Sequence, residues 1–214
     1  MRNFPVMLFI FLFLLWPVSS PAQDNEEFEE IPATPELIQA LQDGGYVLYL
    51  RHGRTDSDQP DQVPIDLDDC STQRPLTQEG KDEIRHVGQM IRKAGIPLDD
   101  IHSSPLCRAE KSARLAFDRE FKIEKDLMYT AHLTSEQKKP VVEKTRQLIS
   151  KPVQEKGKNR MLVAHAPNLA DIMEYFPEIE GSLIIFKPLG ENQFEYLATI
   201  HPDHWETLLE KKRE

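Results

Sequence analysis

The sequence predicts an α/β protein, a three-layer α/β/α sandwich around a mostly parallel central sheet. Apolar runs in "YVLYL" and "RMLVAH", and a short strand around 99–103 in "IPLDDIHSS", alternate with longer segments of helical periodicity. The segments between strands are long enough to be crossover helices, which parallel strands require.

The elements follow in order. The first 22 residues, "MRNFPVMLFIFLFLLWPVSSPA", are read apart from the fold: Arg2, an apolar run from Phe4 to Val18, then Ser20 and Ala22 at the spacing a signal peptidase reads. We expect a signal peptide over residues 1–22, cleaved after Ala22. The apolar run is shorter than the roughly 20 residues of a membrane span. An uncleaved N-terminal anchor is the other reading, and N-terminal sequencing of the exported protein separates the two. Residues 23–33 form an acidic tail, and the domain is expected over 34–214.

Thr34-Pro35 has the form of an N-cap and first helical residue, with Leu37, Ile38 and Leu41 on one face and "DGG" as the stop. "YVLYL" is a buried strand. Residues 54–75 are polar, contain Pro60 and Pro64 and show no periodicity; a loop of that length tends to be functional. Thr77 caps a helix with Ile84, Val87, Ile91 and Ala94 at helical spacing, ending at Gly95. A strand around 99–103 leads into a helix opened by Ser104-Pro105 and running to about Phe117. "FKIEKDL" reads as a further strand. Thr134 and Gln137 have capping-box spacing, but Pro140 should interrupt, giving an isolated first turn and a main helix over about 140–150. "RMLVAH" is a strand and Pro167-Asn168 starts a helix. "SLIIFKP" and "QFEYLATI" are two strands joined through "LGEN", and "HPDHWETLLEKK" is a terminal helix.

The formal net charge is −10, and loss of Arg2 with the signal makes it one unit more negative. Such a surface repels nucleic acid and anionic lipid, so neither is expected as a partner, and no stable membrane association is expected after signal cleavage. Two cysteines, Cys70 and Cys107, are expected to pair in an oxidising compartment.

On that acidic body, "YVLYLRHGRT" places Arg51, His52 and Arg54 within four residues. Flanking cations hold a histidine neutral, and the cluster makes sense around an anion. In open sheets ligands bind beyond the carboxyl ends of the strands. Arg51-His52, Arg108 and His165 all fall at such ends. Taken singly, each has an ordinary alternative: the arginines pair with acids and His165 is a hydrogen-bonded core histidine.

"LYLRHGRT", "SSPLCRAEKSA" at 103–113 and "LVAHAPNL" at 162–169 occur in this order, each at a strand end or strand-to-helix turn. Together they resemble the histidine phosphatase superfamily, with its phosphoglycerate mutase-like fold, over roughly residues 45–200. The resemblance implies a phosphatase that needs no cofactor or metal. His52 would be the nucleophile of a phosphohistidine intermediate, and Arg51, Arg108 and His165 would hold the phosphoryl oxygens of a small phosphorylated substrate. Gly53 would let the backbone approach the phosphate, and the helix opened at Pro105 would offer free amides to the same anion.

Many relatives carry a glutamate general acid in an L-x-E pattern. Here Tyr129 follows Leu127 at that spacing, as in the branch lacking the glutamate. Asp56 and His132 are candidates to replace it. A catalytically weak phosphate-binding or signalling module is the alternative. The acids of 56–69 would form a substrate-selecting rim, a cation site or a solvated loop. His201, Asp203 and His204 could suggest a metal, although Pro202-Asp203 reads more simply as a helix start.

Overall fold

The computed structural model describes residues 28–211; the expected signal peptide lies outside them. Six strands form one sheet in the order β3-β2-β4-β1-β5-β6. They are β1 (Val47–Arg51), β2 (Leu98–Ser103), β3 (Lys122–Ile123), β4 (Asn159–Ala164), β5 (Leu183–Gly190) and β6 (Gln193–Ile200). The first four are mutually parallel, and β5 and β6 close one side as an antiparallel hairpin. Glu191 and Asn192 both take positive φ at its two-residue turn, the conformation a tight hairpin needs.

The pleat explains the layers. Leu48, Leu50, Met161, Val163, Leu183 and Ile185 point to one face. Val47, Tyr49, Leu162, Ala164, Ile184 and Phe186 point to the other. Both faces are apolar, so both must be covered. Helices α1 (Pro35–Asp43), α2 (Gln78–Lys93), α3 (Cys107–Phe117) and α6 (Trp205–Lys211) cover the first through Ile38, Ile84, Ala113 and Trp205. Helices α4 (Ser135–Ser150) and α5 (Ala166–Met173) cover the second through Ile149 and Leu169. The expected three layers are present. Among the described residues no helix is long and apolar enough to cross a membrane.

Three local expectations change. Helix α4 is continuous from Ser135, with Pro140 inside it. The Thr134/Gln137 capping box starts the helix ahead of the proline, which forfeits only the bond to the Glu136 carbonyl, and Glu136 and Pro140 are both exposed to water. Helix α3 starts at Cys107, not at Pro105. The "FKIEKDL" strand shrinks to two residues, followed by a short 3₁₀ turn at Lys125–Leu127.

Helices α2 and α3 meet at Gly88, where a Cβ would lie 2.0 Å from the Ala116 carbonyl oxygen. Cys70 and Cys107 form a disulfide with Cα atoms 5.7 Å apart. It ties the long 54–75 loop to the first residue of α3.

Candidate active site

Three adjacent parallel strands end at one edge. Strand β1 delivers Arg51 and then His52; β4 delivers His165; β2 leads through Ser103 and Ser104 to Arg108 in the first turn of α3. The antiparallel start of β5 reaches the same edge, where Gly181 N donates to His52 O and Arg51 N to Ser182 O. The four residues singled out from the sequence are thus brought together, although up to 114 positions separate them (51 to 165).

His52 is 1% exposed. Its Nδ1 lies 3.0 Å from the Gly53 carbonyl oxygen, which can only accept, so Nδ1 carries the proton and Nε2 keeps a free lone pair. Its pKa is held well below the ordinary histidine value, first by burial and then by the Arg108, Arg51 and Arg74 cations. The His165 ring centroid stands 5.2 Å away. His165 is likewise pushed well below the ordinary value, by burial and then by Arg108. Its Nε2 lies 2.8 Å from Ser104 Oγ, while its buried Nδ1 has no partner. The backbone of His165 is fixed by Tyr49 of β1, whose hydroxyl donates to His165 O at 2.8 Å and accepts from His165 N at 3.1 Å.

Arg108 packs its guanidinium 5.0 Å from the centre of the Tyr129 ring, an attraction that consumes no N–H donor. Its Nη1 donates to both oxygens of Asp61, at 2.8 and 3.1 Å. Its Nε and Nη2 are buried without a partner, as is Arg51 Nε. Arg51 spends Nη1 on the Pro177 and Glu178 carbonyls, and its Nη2 sits 3.4 Å from Glu180. Burial lowers the pKa of both arginines, opposed by Glu180 at Arg51 and by Asp61 at Arg108. The ordinary readings of the arginines and of His165 therefore hold in part: each has a protein partner, and each also keeps a buried donor free.

Two backbone groups have packing and hydrogen-bonding roles that the sequence reading left out. Gly53 is needed for packing: a Cβ there would meet Ile84 Cγ1 at 2.4 Å and Gly80 O at 2.7 Å, so only glycine lets the start of α2 close against the loop. The first turn of α3 does not offer a row of free amides, because Leu106 N donates to Ser104 Oγ and Cys107 N to Gln73 Oε1. Of the candidates for the missing acid, Asp56 uses its carboxylate on Asp58 N and Gln59 Nε2 within the loop. His132 is exposed and stands edge-on to Tyr129 at 4.8 Å.

Sequence reasoning missed Asp61, Arg74 and Glu180. Arg74 has a buried, unpartnered Nε, and its charge acts on both histidines and both site arginines. Glu180 accepts from Thr55 N and Oγ1 and lies 3.7 Å from His52 Nδ1. The only sequence signal for Arg74 was its closeness to Cys70. Asp61 was one of six acids in its loop with nothing to distinguish it.

Residues 47–140 match the profile of the histidine phosphatase superfamily (branch 1). No curated protein matches the chain. Among solved structures, the protein histidine phosphatase SixA complexed with tungstate superposes with a TM-score of 0.55 at 15% identity, over 74% of this chain and 98% of that one. An α-ribazole-5′-P phosphatase from Escherichia coli gives 0.51 at 16%, over 73% and 97%. A phosphoserine phosphatase from Entamoeba histolytica, bound to phosphoserine, gives 0.51 at 15%, over 74% and 98%. The fold, the matched profile over 47–140 and the converged Arg-His, Arg and His segments agree in making this chain similar to the histidine phosphatase superfamily.

Proposed function

We propose that the protein is an exported, metal-independent phosphatase that passes the phosphoryl group of a small phosphomonoester or phosphoramidate to His52 and then to water. The observation that carries this is the His52 ring itself: Nδ1 tied to Gly53 O, Nε2 free, and the ring kept neutral beside buried guanidinium groups. A neutral imidazole nitrogen is the form that attacks phosphorus. Arg108 Nε and Nη2, Arg51 Nε and His165 Nδ1 supply unengaged donors in the same buried region. Phosphoryl transfer asks mainly for in-line positioning and for charge on the equatorial oxygens, which such donors provide.

In the first half-reaction Nε2 forms the P–N bond as the P–O or P–N bond to the leaving group breaks. In the second, water attacks phosphorus, the electron pair returns to Nε2 and phosphate leaves. The structural neighbours, a protein histidine phosphatase, an α-ribazole-5′-P phosphatase and a phosphoserine phosphatase, support a phosphorylated substrate. The disulfide and the N-terminal 22 residues support export to a periplasmic or extracellular compartment. The acidic body argues against nucleic acid as a partner.

The test is hydrolysis of p-nitrophenyl phosphate by the protein and by His52→Ala, with EDTA present. The wild-type protein should turn over and take an acid-labile phosphoryl label, and His52→Ala should do neither. Equal activity in His52→Ala, or loss of activity with EDTA, refutes the reading. Two observations favour a phosphate-binding module instead: Asp61 already occupies Arg108, and Tyr129 stands where an acid is usual in the family it resembles. Phosphate binding without turnover of this activated substrate would select it.

A further inference from the structure

The geometry points to Asp61 as the proton donor to the leaving group, standing in for the glutamate that Tyr129 replaces. This deepens the phosphohistidine reading above and rests on it. Three observations place Asp61. First, its side chain is 4% exposed, although its neighbours Pro60 and Gln62 lie at the surface. Second, it is anchored inside the site from two sides, by Arg108 Nη1 and by the Arg74 backbone N–H at 2.8 Å. Third, it approaches from the long loop, whereas His52 lies at the end of a central strand.

These positions fix which end of the substrate each residue meets. An in-line reaction puts the leaving group opposite His52 Nε2. His52 is buried at the end of a central strand, so an in-line leaving group would extend away from the sheet, and the long loop that carries Asp61 lies outside the sheet. Glu180, the other carboxylate here, sits at Nδ1, the wrong end of the imidazole, and is engaged by Thr55 and Arg51.

Charge supplies the proton. A phosphoryl dianion and the Asp61 carboxylate cannot both lie against the Arg108 guanidinium as full anions without strong repulsion at low dielectric. A proton shared between them removes the conflict and leaves a carboxylic acid beside the bridging oxygen. In the first step His52 Nε2 attacks, the P–O bond breaks, and the Asp61 proton goes to the leaving oxygen. In the second, water attacks phosphorus, Asp61 takes the water's proton, and the P–N bond breaks to free Nε2. The sum is ester plus water giving alcohol plus phosphate, with Asp61 restored.

The experiment compares Asp61→Asn with wild type on p-nitrophenyl phosphate and on glycerol phosphate. The first has a leaving group that needs no proton; the second needs one. General acid catalysis contributes roughly 10²- to 10⁴-fold, so kcat/KM for glycerol phosphate should fall by about 10²-fold or more. The fall for p-nitrophenyl phosphate should stay below about tenfold, with His52 still labelled. Equal losses on both substrates, or tighter inorganic phosphate binding with no change in leaving-group preference, overturn the assignment. Should Asp61→Asn not fold, the wild-type protein still tests it across aryl and alkyl phosphates: kcat/KM depending weakly on leaving-group basicity supports it, and a steep dependence overturns it. A wild type that turns over no ester and takes no label at His52 fails the phosphatase reading itself. A wild type that labels His52 but shows no leaving-group-specific loss on substitution fails only Asp61.

Discussion

Replacing Cys70 and Cys107 together by serine removes the cross-link without leaving a reactive thiol. The two positions are 37 residues apart in sequence. In the chain-entropy view, opening a loop of that length releases about 4 kcal/mol of conformational entropy to the unfolded chain. For a domain of this size each kcal/mol moves the melting temperature by roughly 2–4 °C, so the double variant should melt about 8–16 °C lower. Activity should suffer less. The loop stays joined to α3 through Gln73 Oε1 on Cys107 N and through Asp61 on Arg108. Turnover of p-nitrophenyl phosphate at 25 °C should fall by no more than about tenfold, since Arg108 lies in the helix and not in the loop. Thermal melts and urea titrations of both proteins, followed by circular dichroism, give the stability difference. A melting temperature within about 3 °C of wild type would refute the reasoning, because the bridge would then restrain nothing in the unfolded chain.

Three further outcomes are expected. His52 and His165 both have pKa values depressed by burial and by neighbouring arginines. The unfolded chain therefore takes up protons first as pH falls below about 6.5, and stability should drop by roughly 1.4 kcal/mol per pH unit for each histidine until the folded-state values are reached. Denaturant titrations between pH 8 and 5 should show that slope, to which His102, also depressed by burial, adds, with one histidine's share gone in His165→Asn; a flat profile would contradict the burial of the rings. Tyr49→Phe strips the His165 backbone of both its partners. It should cost about 1–3 kcal/mol in urea and lower kcat, whereas wild-type stability would mean that the hydroxyl fixes nothing. Gly88→Ala drives a Cβ into the Ala116 carbonyl and must separate α2 from α3. A loss of about 1–3 kcal/mol is expected, and a neutral result would show that the helices can part freely.

Much of the fold was written in local pattern. The apolar runs in "YVLYL" and "RMLVAH", the threonine caps at 34, 77 and 134, and the two late strands all describe residues close in sequence, whose conformations are set by their immediate neighbours. Where local rules competed, they misled. Pro140 proved harmless because the capping box had already begun the helix upstream, and Pro105 yielded to a start at Cys107. The phosphate-binding candidates were legible because each lies at the end of a strand, and parallel strands bring their carboxyl ends to one edge.

Arg51, His52, Arg108 and His165 were therefore available from the chain alone as candidates, as was the expected pairing of its two cysteines. Their partners were not. Asp61 meets Arg108 across 47 positions, and Glu180 meets Thr55 across 125. No spacing rule links such residues. They come from a loop without periodicity and from the turn before β5, and their places follow from how the disulfide, Gln73 and the sheet edge pack together. Strand and helix patterns are short-range and repeat, so they can be recognised in one dimension. The choice of which carboxylate fills which guanidinium is made by close packing in three.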